Sequence, residues 1–392
     1  MENEIDIHHY DQKLSSMLKS IEKSEISKKN KDLLIKFQNA CFSESIGKAK
    51  IVRYLFDLKK ICLIVKKDLD KCDKEDIQKI LAEIEKSNYA YNTKRGYKIV
   101  LKKFYKWLRN LEEGYPDEVR WIKTTSDKAK ERLPSNLLSE EDIIKLIQNA
   151  DKTRDKAFIS VLYESGCRIG EILTLRIKNI TFDNYGAKIS VFGKTGARVV
   201  RLISSSPYLL EWLNNGHPSN NDNEKPIWLS QKKKLLSYGR IKDMLRYVAK
   251  RAGIDKAVNP HSFRHARATY LAKHLSEAQL KAILGWGQAS KMSAVYIHLS
   301  QKDTEDAILK LNGIIKEEDE KSKIELKECP RCKNKNKPTS RFCEMCSMIL
   351  NKEEADKIIS ETAEKEKIDN LMKEIVKEPE FMELLRKKLN SS

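Results

Sequence analysis

Apolar residues recur every three or four positions through most of residues 28–111, which predicts amphipathic helices rather than strands. Four such stretches follow one another, and the last of them begins near Asn92. Four helices of this length make a compact bundle, so a first domain is predicted over residues 28–111. Residues 1–27 have few apolar positions and are expected to form an N-terminal arm or one short helix.

A break in this periodicity separates the bundle from the next domain. Residues 112–136 contain Gly, Pro and a Thr-Thr-Ser run, a composition typical of a linker. Ser139 then stands three residues before Asp142, as in a capping box at the start of a helix. Helical spacing continues from there, and a second domain is predicted over residues 137–311.

One segment of this second domain changes from helical spacing to strict alternation. Residues 187–203 alternate around a Gly-Lys-Thr-Gly turn, which predicts a β-hairpin with Lys194 at its tip. The positions assigned to the alternating set are Ile189, Val191, Val199, Arg201 and Ile203. Together these patterns predict a mostly α fold with a small β-sheet, in which an α+β domain follows a helical bundle.

The stretch over residues 259–299 concentrates side chains that can bind and attack a phosphate. Pro260 suits the first turn of a helix, so His261 and Arg264, three residues apart, are expected to share one face of it. That turn also presents free N–H groups and the positive end of the helix dipole, which favours a bound anion. Tyr296 supplies a hydroxyl nucleophile, so the stretch indicates phosphoryl transfer.

A second arginine in the opening turn of a helix points to the same chemistry. Arg168 follows a helix that ends at Gly166, and a cation at this position opposes the helix dipole unless an anion binds nearby. Glu171, three residues further on, is placed to orient the guanidinium.

The charge balance favours a polyanionic partner. The chain has 76 Lys and Arg residues against 57 Asp and Glu, a formal net charge of +19. Residues 351–392 carry a net charge of −2, so the basic surface belongs to residues 1–350. Seven basic residues without an acid between Lys94 and Arg109 favour DNA contact by the fourth helix. No apolar run reaches the roughly 20 residues of a membrane span, so a soluble cytoplasmic protein is expected.

Four of the eight cysteines form two Cys-x-x-Cys pairs separated by ten residues. The members of these pairs are Cys329, Cys332, Cys343 and Cys346. This spacing predicts a tetrahedral Cys₄ zinc site with a structural role, because four thiolates leave no open coordination position. Disulfides are the alternative, and nothing in the sequence indicates the secretion that they would require. A zinc ribbon is therefore predicted over residues 326–350, followed by a charged helical tail over residues 351–392.

Taken in chain order, six residues resemble the catalytic set of the tyrosine recombinase (phage integrase) family. They are Arg168, Lys194, His261, Arg264, Trp286 and Tyr296. The motifs around them read Gly-Cys-Arg-Ile-Gly-Glu, Gly-Lys-Thr-Gly-Ala-Arg, His-Ser-Phe-Arg-His, Leu-Gly-Trp-Gly and Val-Tyr-Ile-His. Five motifs in this order are a specific signal, and the likeness covers roughly residues 28–305. It implies a SAM-like core-binding bundle, a tyrosine-recombinase catalytic domain and a Xer-like recombinase extended by a zinc ribbon.

Two details of the site depart from the common pattern of the family, and a neighbouring histidine is assigned a local role. Trp286 stands where the family usually has histidine, and its indole N–H can donate to a phosphate oxygen but cannot shuttle a proton. The interval from Trp286 to Tyr296 is one residue longer than the common pattern. His265 is expected to make a local hydrogen bond rather than to react.

The resemblance implies a covalent mechanism that requires no cofactor for catalysis. Tyr296 would attack a DNA phosphodiester to give a 3′-phosphotyrosine and a free 5′-hydroxyl, and another 5′-hydroxyl would reverse the step. Arg168 and Arg264 would bind the non-bridging oxygens as charge develops on the phosphorus centre. Lys194 would protonate the leaving 5′-oxygen, and His261 would accept the Tyr296 proton.

Three functions agree with the sequence. The first is a site-specific recombinase or integrase that acts on double-stranded DNA as a homo-tetramer on synapsed sites. The second is a type IB topoisomerase-like relaxing enzyme, which would share the pocket and rejoin the same strand. The third is a non-catalytic zinc-ribbon adaptor that binds DNA. The separate helical bundle favours the first function, and the complete catalytic set argues against the third.

Overall fold

The computed structural model describes residues 6–125, 137–193, 196–297 and 322–351, together with isolated positions between 309 and 376. The chain divides into two compact units, residues 1–135 and 136–392. Both are mainly helical and the sheets are small, so the predicted fold class is confirmed. Among the described residues no helix is long and apolar enough to cross a membrane.

The first unit is a helical bundle with one continuous apolar core. Its helices are α1 (Tyr10–Glu22), α2 (Lys28–Ser43), α3 (Lys48–Val65), α4 (Lys74–Lys86), α5 (Tyr91–Leu108) and α6 (Asp117–Arg120). The four helices predicted between residues 28 and 111 are α2 to α5. Met17 and Ile21 of α1, the one short helix that was the alternative to an arm, are also buried in this core, so α1 packs as part of the bundle. Val119 of α6, which lies within the predicted linker, is buried in the same core.

Most cations on the basic face of α5 already have a partner inside the first unit. Lys94 and Lys98 both pair with Glu85, and Lys103 pairs with Glu44. Further contacts are made by Arg109 with Glu118, by Arg95 with the Thr124 carbonyl and by Lys102 with the Ile122 carbonyl. DNA contact by this face stays a prediction, and these partners would compete with phosphate for the same cations.

The second unit is built around one helix, Thr153–Ser165, that is buried on every side. Its helices are α7 (Glu140–Asn149), α8 (Thr153–Ser165), α9 (Ile169–Leu173), α10 (Ser206–Glu211), α11 (Tyr238–Arg251), α12 (Pro260–Ala272), α13 (Glu277–Leu284) and α14 (Met292–Ile297). Phe158 and Leu162 of α8 are fully buried, and the Phe158 ring meets Trp228 edge-on at 4.9 Å between centroids. The capping box of Ser139 with Asp142 and the left-handed Gly166 at the end of α8 are both as predicted.

A three-stranded antiparallel sheet carries the predicted hairpin. The strands are β1 (Ile180–Asp183), β2 (Gly186–Gly193) and β3 (Gly196–Leu202), in that spatial order. Ile189 and Val191 of β2 are buried, as expected. Lys194 follows Gly193 and lies outside the described residues.

The prediction of which residues of the second hairpin strand face the core is wrong. Val200 and Leu202 are buried, whereas Val199 is 62% and Ile203 is 49% exposed. Gly193 pairs with Gly196, which places Val200 opposite the buried Ile189 and turns the odd-numbered positions of β3 outward.

The predicted cysteine segment contains a minimal sheet of two short strands. Strand β4 (Lys327–Glu328) pairs with β5 (Lys335–Asn336) in antiparallel fashion. The segment has few apolar residues to bury, and its buried positions include Cys329, Cys343 and the polar Asn336.

The end of α8 gives a stability prediction. Gly166 has φ +58°, and a Cβ there would lie 2.8 Å from a Leu284 methyl carbon. Gly253 has a similar φ of +64° with nothing within 4 Å of its Cβ position. We expect Gly253→Ala to cost about 1 kcal/mol from backbone strain alone. Gly166→Ala should cost roughly 1–3 kcal/mol more, because the methyl group must also displace packed atoms. Urea unfolding measures both, and equal losses would contradict the close packing at Gly166.

Candidate active site

The first turn of α12 is fixed by its own sequence. The Asn259 side chain accepts hydrogen bonds from the backbone N–H groups of His261 and Ser262, and Pro260 occupies the first helical position. The helix therefore begins at a defined residue and projects His261 and Arg264 from its opening turns. Arg264 is 7% exposed, whereas His261 is exposed, so the two side chains lie in different environments.

Three arginines converge on the C-terminal end of α13. Arg198 Nε donates to the Ile283 carbonyl at 2.9 Å, Arg264 Nη2 to the Leu284 carbonyl at 2.7 Å, and Arg168 Nη1 to the Gly285 carbonyl at 3.0 Å. Carbonyl groups at a helix C-terminus form the negative end of the helix dipole, so they both orient and stabilise the guanidinium groups. The two arginines predicted from separate motifs are thus brought to one helix end.

Gly285 makes this convergence possible. It ends α13 in the left-handed conformation at φ +60°, and a Cβ at this residue would lie 2.6 Å from Arg198 Nη1. Glycine therefore provides both the helix-ending backbone and the space for a guanidinium.

Glu171 neutralises part of the positive charge. Its carboxylate accepts from both Nη atoms of Arg198, at 3.0 and 2.8 Å, and from Arg168 Nη1 at 3.2 Å and the Arg168 backbone N–H at 2.9 Å. Burial opposes ionisation, but the hydrogen bonds from Arg198 and Arg168 hold the pKa of Glu171 below its ordinary value. The predicted orientation of Arg168 by Glu171 is confirmed.

Arg198 is a site residue that the sequence interpretation missed. The signal was its place on β3, two and four residues before the buried Val200 and Leu202, where an inward-facing position normally holds an apolar side chain. This signal was not recognised because the alternation pattern assigned the odd-numbered positions of β3 to the buried face. Gly193, across the hairpin, also approaches Glu171, because a Cβ there would lie 2.2 Å from Glu171 Oε1.

Arg264 is the most deeply enclosed of the three cations. It donates to the Gly166 carbonyl at 2.8 Å as well as to Leu284, which uses two of its five N–H groups. Burial, reinforced by the charge of Arg168, lowers the pKa of Arg264 to about 10. The group remains charged at neutral pH, and an anion placed against it would relieve the unfavourable burial of charge.

Tyr296 lies beside this cluster and is itself buried. Its ring stacks on Trp286 with 5.5 Å between centroids, and the Arg264 guanidinium lies 5.5 Å from the Trp286 ring. Burial raises the pKa of Tyr296 to about 12, although the charge of Arg264 opposes the shift. Trp286 therefore connects the candidate nucleophile to the arginine cluster by two ring contacts.

The Tyr296 hydroxyl is hydrogen-bonded to Nδ1 of His265. Burial, with His261 and Arg264 nearby, lowers the pKa of His265, so the imidazole is neutral at pH 7 and able to accept the phenol proton. The local hydrogen bond predicted for His265 exists, but its partner is the candidate nucleophile. In the described residues it is His265, not His261, whose imidazole contacts the phenol oxygen.

A second candidate site is formed by the four clustered cysteines. Their Sγ atoms all lie within 4.8 Å of one another, with 3.6 Å between those of Cys329 and Cys346 and 3.4 Å between those of Cys332 and Cys343. The cluster is able to hold a metal ion, and it lies in the ribbon segment apart from the arginines.

The Glu171 contacts give a prediction for stability and pH. Glu171→Gln removes the counter-charge from Arg198, whose side chain is 11% exposed, and from Arg168, whose side chain is 33% exposed, and should cost about 3 kcal/mol at pH 7. The matched control is Glu224→Gln, a 59% exposed carboxylate that pairs with Arg176 and Lys178, and its cost should stay below about 1 kcal/mol.

The Glu171 contribution should be lost as the pH falls from the ordinary glutamate pKa through the lowered pKa of Glu171, because the unfolded chain binds a proton before the native carboxylate does. Urea unfolding of wild type and Glu171→Gln should therefore show that the difference between their free energies of unfolding becomes smaller as the pH is lowered from 7. A difference that does not change with pH would contradict the assignment.

Comparison with known proteins agrees with this geometry. Residues 136–303 match the phage integrase family. A tyrosine recombinase of Pseudothermotoga lettingae is 28% identical over 268 residues, which cover 67% of this chain and 91% of that protein.

Two solved structures show the same fold. A XerH site-specific recombinase in a post-cleavage complex with a palindromic difH substrate has a TM-score of 0.56 at 21% identity, covering 77% of this chain and 95% of that chain. A lambda integrase tetramer bound to a Holliday junction has a TM-score of 0.54 at 17% identity, covering 68% of this chain and 76% of that chain. Residues 136–303 of this chain therefore match the phage integrase family, and the relative and the shared fold agree with a tyrosine recombinase.

Proposed function

We propose that this chain is a site-specific DNA recombinase that cleaves and rejoins strands through a 3′-phosphotyrosyl bond at Tyr296. The observation that carries the proposal is the connection of Arg168 and Arg264, bound to one helix end, with Tyr296 through the Trp286 ring. An arginine pair of this kind binds the non-bridging oxygens of one phosphate, while the adjacent hydroxyl attacks the phosphorus atom.

The electrostatics of the site support phosphoryl transfer. Arg168 and Arg264 are held by backbone carbonyls before any substrate arrives, so the positive field requires little reorganisation when charge develops in the transition state. Trp286 can donate its indole N–H to a phosphate oxygen. Because the phosphotyrosyl bond retains the energy of the broken phosphodiester, rejoining needs no nucleotide cofactor.

The proton steps are assigned to two side chains. His265, hydrogen-bonded to the Tyr296 hydroxyl, is proposed to take its proton as the Tyr296 oxygen bonds to phosphorus. His261, one turn earlier on α12, is retained in the catalytic set beside the phosphate. Lys194, which follows the Gly193 that abuts Glu171, is proposed to protonate the 5′-oxygen as its bond to phosphorus breaks.

The assembly is proposed to be a homo-tetramer on two synapsed duplexes. The lambda integrase tetramer on a Holliday junction, which shares this fold, supports such a ring. The net charge of +19 suits a protein that surrounds DNA. Relaxation by one protomer and non-catalytic binding are not favoured, because the relatives are recombinases and the site contains both a phosphate clamp and a nucleophile.

The reaction is tested by trapping the covalent intermediate. Purified protein is incubated with nicked DNA carrying candidate sites in the presence of EDTA, and the products are separated on denaturing gels. We expect an adduct with wild type and with Tyr270→Phe, a second tyrosine from the same region, and none with Tyr296→Phe. Tyr296→Phe that still forms an adduct would contradict the assignment of the nucleophile. Recombinant products, rather than merely relaxed plasmid, would distinguish recombination from topoisomerase activity.

The cysteine cluster is proposed to hold one structural Zn²⁺. Zinc–sulfur bonds of 2.3 Å in a tetrahedron require Sγ atoms about 3.8 Å apart, close to the spacing seen here. When bound, the ion would join the two knuckles and supply no chemistry to the Tyr296 site. Metal analysis should give one zinc per chain in wild type and in Cys62→Ser, which lies in the first unit, and none in Cys343→Ser. Equal zinc contents in the two variants would refute this site.

A further inference from the structure

The ribbon is joined internally through one buried polar residue. Asn336 is 1% exposed, and its amide donates to the carbonyls of Lys327 at 3.2 Å and Asn334 at 2.9 Å. Its side-chain oxygen accepts from the Glu344 backbone N–H at 2.9 Å. Asn336 therefore connects the segments that flank the first cysteine knuckle to the second knuckle.

Two of the residues between the knuckles contact α10 of the catalytic region. The Tyr208 hydroxyl is hydrogen-bonded to Thr339 Oγ1 at 2.6 Å and accepts from the Thr339 backbone N–H at 3.3 Å. Lys337 Nζ lies 3.2 Å from a Glu211 carboxylate oxygen and 2.9 Å from one of Glu344. Tyr208 is 2% exposed, so its hydroxyl depends on these partners rather than on water.

The segment that leads into the ribbon makes a second set of contacts with the same unit. Ser204 Oγ donates to the Ile324 carbonyl at 2.5 Å, and Ile324 is buried. The Glu140 carboxylate, at the start of α7, accepts from Ser322 Oγ and from the Lys323 backbone N–H, each at 2.7 Å. The ribbon is thus attached at two places that are far apart in sequence.

Helix α8 connects these ribbon contacts to the arginine site. The Glu164 carboxylate accepts from the backbone N–H groups of Ile203, Ser204 and Ser205, and the Glu164 carbonyl accepts from Arg267 Nε. The carbonyl of Gly166, two residues after Glu164, accepts from Arg264 Nη1. Residues 203–205, which include the Ser204 that contacts Ile324, are therefore hydrogen-bonded to the C-terminal end of α8. The same end of α8 binds the proposed catalytic residue Arg264.

We propose that the metal-loaded ribbon is a docked part of the catalytic unit, and that metal binding stabilises this unit through α10. Closing the two knuckles holds Thr339 and Lys337 against Tyr208 and Glu211. An open ribbon loses these contacts and leaves the buried Tyr208 hydroxyl without its partner. The surface of α10 is accordingly a binding surface for the chain's own ribbon, and the metal acts at a distance from the reaction.

The proposal is tested by a double-mutant cycle on the full chain. Tyr208→Phe removes only the hydroxyl that binds Thr339, and Cys332→Ser removes one metal ligand without touching α10. Thermal unfolding of the catalytic unit is followed by tryptophan fluorescence, with metal content measured in parallel. In the metal-loaded protein, Tyr208→Phe should lower the unfolding temperature by about 2–4 °C, as expected for a lost hydrogen bond in a unit of this size. In the Cys332→Ser background the same change should shift it by less than about 1 °C.

Ser160→Ala is the matched control, because its hydroxyl donates to the Lys156 carbonyl within α8 and not to the ribbon. Its effect should be the same in both backgrounds. If Cys332→Ser does not fold, stripping and restoring metal in wild type and Tyr208→Phe gives the same cycle. An equal effect of Tyr208→Phe with and without metal, or an unfolding temperature unchanged by metal removal, would overturn the proposal.

Discussion

The carbonyl groups at the end of α13 are the feature on which the rest of the site depends. A helix end leaves its last carbonyls unpaired, and here the carbonyls of Ile283, Leu284 and Gly285 each accept from a different arginine. These arginines come from β3, α12 and the start of α9, so one helix end brings three distant segments to the same place. The positive cluster therefore exists before any phosphate binds.

Collecting three guanidiniums in a partly buried place requires compensation. Glu171 supplies one full negative charge to Arg168 and Arg198, while Arg264 donates to the neutral carbonyls of Gly166 and Leu284. A phosphate placed between the arginines would supply the charge that is still lacking. The same burial that lowers the pKa of Arg264 raises that of Tyr296, and the neutral His265 provides an acceptor for the phenol proton.

Local patterns predicted well wherever a residue's role depended on its immediate neighbours. The capping box at Ser139, the left-handed Gly166 and the orientation of Arg168 by Glu171 all follow from spacings of a few residues. The order of the motifs likewise indicated that Arg168 and Arg264 act together.

Roles set by tertiary pairing were harder to predict. Which face of β3 points inward depends on the register that pairs Gly193 with Gly196, and a shift of one residue hid Arg198. The contact between His265 and Tyr296 depends on how α14 packs on α12, which no local pattern specifies. The lysines of α5 are contacted by acids and carbonyls from other segments of the bundle, which is also a tertiary property.

The central claim is that the end of α13 holds the arginines in the geometry that binds the reacting phosphate. The most direct measurement is a structure of the covalent complex formed on a cleaved DNA site. We expect Arg168 and Arg264 still to donate to the carbonyls of Gly285 and Leu284 while their remaining N–H groups contact the phosphate joined to Tyr296. Guanidiniums that have left these carbonyls to reach the phosphate, or a phosphate bound away from them, would contradict it.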